Sequence, residues 1–100
     1  MFQALTNSEN TQVLSVNGEL DALSSPGLRA TLDALTRVAG CRIKVDLSGL
    51  TLLDSSGVGL LVSLYKSARA NHGSVSFVGV ADQPLSIFKL LRLDRVFAMV

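Results

Sequence analysis

A chain of 100 residues that is 48% apolar, 17% charged and has a mean hydropathy of +0.42 can bury one core but not two, and is too apolar to stay disordered. Its net charge is +1, and Lys66, Arg69, Lys89, Arg92 and Arg95 are scattered among Asp82 and Asp94, so nucleic acid and anionic lipid gain no basic patch to bind. The single cysteine, Cys41, excludes an internal disulfide, and with the single histidine, His72, supplies too few ligands for a Cys/His zinc site.

One domain spanning residues 1–100 is therefore expected, in a reducing compartment. The first residues, MFQALTNSEN, have neither the basic start nor the apolar centre of a secretory leader. No apolar run approaches the roughly 20 residues that span a bilayer, so the cytosol is the expected location.

Phe2 to Thr6 reads as a brief strand and polar Asn7 to Asn10 as a turn. Thr11 to Gly18, with Val13, Leu14 and Val16, completes an opening hairpin. After a loop from Glu19 to Ser25, Pro26 follows a capping serine, and Leu28, Leu32, Leu35 and Val38 recur at helical spacing until Gly40. Arg42 to Leu47 alternates strictly, with Ile43, Val45 and Leu47 on one side and Arg42, Lys44 and Asp46 on the other.

Val58, Leu61, Val62, Tyr65 and Ala68 mark a second helix from Ser56 to about Ala70, ended by Asn71 to Gly73. Ser74 to Gly79 reads as a strand, Pro84 to Leu91 as a short helix and Val96 to Val100 as a last strand. The order ββαβαβαβ implies an α/β fold with a mixed, mainly parallel sheet of about five strands. The charged side of the Arg42 to Leu47 strand argues against a sheet buried on both faces, so the helices should pack mainly on one.

In such a sheet the functional loops gather at the carboxyl ends of the strands, here Glu19 to Ser25, Ser48 to Ser56 and Val80 to Gln83. The middle loop carries Asp54-Ser55-Ser56-Gly57 at the start of the second helix. Hydroxyls there face unpaired backbone N–H groups and the positive end of the helix dipole, a setting that suits phosphoserine. Asp and Ser are also the preferred N-cap residues and Gly57 eases a tight turn, so the same four residues read equally as a plain helix start. The residues alone leave both readings open.

Other chemistry finds little support. A triad of Ser55, His72 and Asp54 fails because the intervening helix, at roughly 1.5 Å per residue, separates serine from histidine by well over 20 Å. Gly57 and Gly59 form neither GxxxxGK[ST] nor GxGxxG, and no metal site or paired acid and base is visible, so no cofactor and no enzymatic activity are expected. Cys41 reads as a small packing residue. Leu85, Phe88, Leu91 and Leu93 fit a core better than a docking patch, and Ser63, Lys66 and Ser67 fit a solvated helix face.

GELD at Gly18 to Asp21, VDLSGLTLLDSSGVGLL at Val45 to Leu61 and SVSFVGVADQPLSIFKLLRLDRVF at Ser74 to Phe97 together resemble the STAS domain of bacterial anti-sigma factor antagonists, over almost the whole chain. The resemblance implies a STAS-like fold and makes Ser55 the phosphoacceptor. Ser56 matches the second serine of the motif and Gly57 its glycine, while Asp54 and Asp21 match acidic positions flanking the acceptor. It further implies that the unphosphorylated chain binds an anti-sigma factor with a histidine-kinase-like ATPase fold and releases sigma factor. That partner, a serine kinase, ends the interaction by phosphorylating Ser55, and a serine phosphatase restores it. STAS-like domains also serve as adaptors in stress-sensing complexes and beside envelope lipid-transport ATPases, which is the alternative implied.

Overall fold

The computed structural model describes the backbone of residues 2–6 and 11–99 and the side chains of residues 11–97. Its elements are β1 (Phe2–Thr6), β2 (Gln12–Val16), β3 (Gly18–Leu20), α1 (Ser25–Thr36), β4 (Arg42–Asp46), β5 (Leu50–Leu53), α2 (Ser55–Ala70), β6 (Ser74–Val78), α3 (Asp82–Leu90), α4 (Leu93–Val96) and β7 (Ala98–Met99). A sheet in the order β1-β2-β4-β6-β7 organises them. β1 runs antiparallel to β2 and the remaining pairs are parallel, each joined by a crossover that passes through at least one helix.

The alternation read in β4 is the alternation observed. Ile43, Val45 and Leu47 are buried, whereas Arg42 and Lys44 on the other pleat are exposed. Val45 lies opposite Leu14 of β2 and Phe77 of β6, all three fully buried. Leu28 and Leu32 of α1 and Leu60, Leu61, Leu64 and Ala68 of α2 complete the core on that side. Phe77 stacks on Phe97 at 4.5 Å and meets Phe88 edge-on at 5.9 Å, so rings from β6, α3 and the C-terminal segment close one end of it.

The hairpin of β1 and β2 matches its sequence reading, while the turn expected at Asn7 to Asn10 lies outside the described residues. Several boundaries differ, among them α3, which runs from Asp82 to Leu90 rather than from Pro84 to Leu91. The expected loops Glu19 to Ser25 and Ser48 to Ser56 contain β3 and β5, which pair in parallel as a second, two-stranded sheet. With three and four residues, and with Leu50 to Leu53 buried only at its two ends, neither strand shows the two-residue period.

Helix α1 stops at Thr36, before the expected Gly40, and the Asn71 side chain donates to the Thr36 carbonyl, satisfying one of the acceptors left free at that end. Val38 is consequently outside the helix and 63% exposed. The last strand is shortened to Ala98–Met99 because Arg92, at φ 60°, breaks the chain into a further turn of helix, α4. Val100, the end of that expected strand, lies outside the described residues.

Of the apolar residues of the last helical region, Phe88 is fully buried and Leu85 and Leu93 half-buried, as a core reading expects, but Leu91 is 50% exposed. Ser63 and Ser67 are half-buried, each lining an open groove beside α1, and Lys66 is exposed. Cys41 packs in the core, where burial raises its thiol pKa, and Gly73 must be glycine because a Cβ there would lie 2.4 Å from the Cys41 carbonyl oxygen. Among the described residues no helix is long and apolar enough to cross a membrane.

Because the Phe77 ring has no solvent exposure and two ring neighbours, Phe77→Ala should cost about 3–5 kcal/mol, read as a lower urea midpoint with an unchanged slope.

Candidate functional site

Three segments converge on the start of α2. The Leu20 carbonyl, at the end of β3, accepts the Asp54 amide at 3.2 Å. From the first turn of α3, the Gln83 side chain grips the end of β5 twice: its Oε1 accepts the Leu53 N–H at 2.9 Å and its Nε2 donates to the Leu53 carbonyl at 3.0 Å. The three segments expected at one sheet edge are thus joined by a backbone hydrogen bond at Asp54 and by the Gln83 side-chain amide at Leu53.

Asp54 is the N-cap of α2. Its backbone is extended, its Oδ1 accepts the Gly57 amide at 3.0 Å, and its carbonyl accepts the Val58 amide at 2.9 Å. The helix therefore begins at Ser55, one residue before the expected start, and its cap is the aspartate rather than a serine. Gly57 faces inward, where a Cβ would lie 2.6 Å from both the Leu20 carbonyl oxygen and Leu53 Cδ1. With the glycine directed in and the cap filled by Asp54, Ser55 and Ser56 are left exposed, and neither hydroxyl has a hydrogen-bond partner among the described residues. Their amides precede the first intrahelical bond and have no acceptor within the helix.

Asp21 has a different task. Its Oδ1 accepts the Leu23 and Ser24 amides, each at 3.0 Å, and the Ser24 hydroxyl bridges the Asp21 amide to the Glu19 carbonyl. The Ser24 amide chiefly, with Leu23 and the Ser24 hydroxyl, holds this carboxyl below its ordinary 3.8. A lowered carboxylate pKa keeps the turn intact at neutral pH and releases it only as pH falls through the lowered value. Asp21 thus builds the turn ahead of α1, while Asp54, Ser56 and Gly57 are contiguous with Ser55.

Ser55 stands between two depressions. On one side a polar groove of about 700 Å³ between α1 and α2 is lined by Ser25, Arg29, Asp33, Ser55, Ser56 and Ser63, among others. On the other an apolar cleft of about 210 Å³ is lined by Leu53, Val58, Ile87, Leu90 and Leu91 together with Asp54 and Ser55. Arg29 escaped the sequence reading because it lies within α1; Ser25, read as the serine capping that helix, is instead its first residue behind Ser24 and makes no cap bond, and Gln83, read as the end of a loop, acts through its amide on a strand 30 residues away. His72 follows the C-cap of α2, at the opposite end of that helix from Ser55.

A family model described as "Mlab, STAS domain" matches residues 4–100. The chain is 27% identical over 81 residues to the anti-sigma-B factor antagonist of Listeria monocytogenes, covering 81% of this chain and 71% of that protein. Its fold is similar to that of a putative anti-sigma factor antagonist from Thermotoga maritima, with a TM-score of 0.84 at 21% identity over 98% of this chain and 84% of that one. It is also similar to the phosphorylated form of the Bacillus cell fate determinant SpoIIAA, with a TM-score of 0.78 at 24% identity over 100% of this chain and 91% of that one.

The two glycines of α2's first turns separate packing from propensity. Gly57→Ala should lose about 1–3 kcal/mol through overpacking against Leu20 and Leu53. Gly59→Ala, with open space around the added Cβ, should gain about 0.5–1 kcal/mol. Urea unfolding of both variants checks the opposite signs.

Proposed function

The chain belongs to the STAS domain family, and on that premise we propose that it is an anti-sigma factor antagonist switched off by phosphorylation of Ser55. The observation that carries the proposal is an exposed serine hydroxyl without a partner at the mouth of a helix whose cap is already supplied by Asp54. A serine needed only to start the helix would have its hydroxyl on a backbone amide. The names of the relatives support the antagonist role, and the phosphorylated form of SpoIIAA supports modification as the switch.

In this reading the unphosphorylated chain, acting in the cytosol as one STAS domain, binds an anti-sigma factor with a histidine-kinase-like ATPase fold and so frees sigma factor. The apolar cleft beside Ser55, with Leu90 and Leu91 on its rim at 75% and 50% exposure, offers that partner a surface to cover. The partner then acts as a serine kinase. Ser55 Oγ attacks the terminal phosphorus of ATP, the new O–P bond forms as the bond to the ADP oxygen breaks, and the hydroxyl proton passes to a base on the kinase.

The product carries roughly −1.5 to −2 charges next to Asp54. Covering an apolar cleft then requires desolvating that dianion, so the partner leaves. A serine phosphatase returns the hydroxyl. Asp21, Asp54, Ser56 and Gly57 serve the switch by holding Ser55 in place and by setting the negative charge around it.

The second reading is a permanent adaptor, in a stress-sensing complex or beside an envelope lipid-transport ATPase. The same apolar cleft favours it, because a docking surface is useful whether or not phosphate turns over. Incubation with the partner kinase and ATP, followed by peptide mass spectrometry, should find one phosphate, on Ser55, and none on Ser55→Ala. Undiminished phosphorylation of Ser55→Ala, or co-purification with a permease ATPase and no kinase, would overturn the switch.

A further inference from the structure

We propose that the phosphoryl group on Ser55 is received in the groove between α1 and α2 by Arg29 and Ser25, forming a latch that ties the two helices together in the modified state. The inference rests on Ser55 being the modified residue. Its starting point is Ser25, which is only 7% exposed and whose hydroxyl is the one buried side-chain oxygen or nitrogen without a hydrogen-bond partner among the described residues. A buried hydroxyl left unpaired carries an uncompensated desolvation cost, which an acceptor entering the groove would relieve.

Arg29 is four residues further along α1, on the same face of the helix, and lines the same groove as Ser25, Ser55 and Ser56. Its guanidinium is exposed and forms no ion pair with any described residue. A planar fork of N–H donors matches phosphate oxygens. The amides of Ser55 and Ser56, unpaired at the positive end of α2, add donors from the opposite wall. Asp33, one turn beyond Arg29, is the other charged side chain of the groove. It would repel the phosphate, so the latch depends on the arginine.

Two consequences separate this from simple exposure of a charge. The phosphate's second ionisation, near pH 6 for phosphoserine, shifts downward because Arg29 favours the dianion. The start of α2 is also fixed against α1 in the modified form.

The test uses the full chain with phosphoserine installed at position 55 during translation, so that no kinase is involved, and titrates the phosphate by ³¹P NMR. The midpoint should lie about half a unit or more below that of the same protein carrying Arg29→Ala. Arg29→Lys should recover part of the shift, and Ser25→Ala should lose a smaller part. A loss of packing alone would not move the midpoint, and matching amide spectra of the unmodified variants check that they fold. Equal midpoints with and without Arg29 would overturn the latch and leave Ser55 as acceptor untouched. A shifted midpoint in a protein that its kinase does not modify at Ser55 would support the groove and sink the switch.

Discussion

The contact on which the site depends is the approach of the Leu20 carbonyl to the first turn of α2. That oxygen accepts the Asp54 amide and occupies the space a side chain at position 57 would need. The end of β3 is thereby pressed against the helix start, and Gln83 fixes the neighbouring strand end from the α3 side. Because Gly57 must face in and Asp54 must cap, the helical turn leaves Ser55 pointing away from the core. Exposure of the hydroxyl is thus a consequence of packing beneath it.

The surroundings of that hydroxyl are asymmetric in a way that suits a change of charge. A neutral serine is compatible with an apolar partner covering Leu90, Leu91 and Ile87, whereas a dianion at the same point is not. The polar groove on the other side, with Arg29 and the unpaired Ser25 hydroxyl, is chemically suited to hold the charge. The proposed phosphorylation of Ser55 would therefore act on both sides of the residue, disfavouring the cleft and favouring the groove.

Much of this was legible in the sequence wherever a period or a motif was long enough to register. The strict alternation of Arg42 to Leu47 identified β4 and its wet face, and the apolar repeats of α1 and α2 located both helices. The D-S-S-G motif marked the helix start, but which residue caps it was ambiguous until Asp54 was seen bonded to Gly57. β3 and β5 escaped because short strands buried at their ends lack a repeat to read.

The end of α1 escaped for a different reason: the donor that meets its Thr36 carbonyl comes from Asn71, 35 residues away. Arg29 escaped because rules for sheet-edge loops do not point to the middle of a helix. Asp21 entered through the resemblance alone, as an acidic position flanking the acceptor, and its role in closing a turn requires the positions of the Leu23 and Ser24 amides.

The most direct measurement is calorimetric titration of the proposed ATPase partner with the chain carrying either serine or phosphoserine at position 55. If charge at this point governs association, the modified chain binds at least about tenfold more weakly, or about 1.4 kcal/mol. Identical dissociation constants for the two forms would contradict the account.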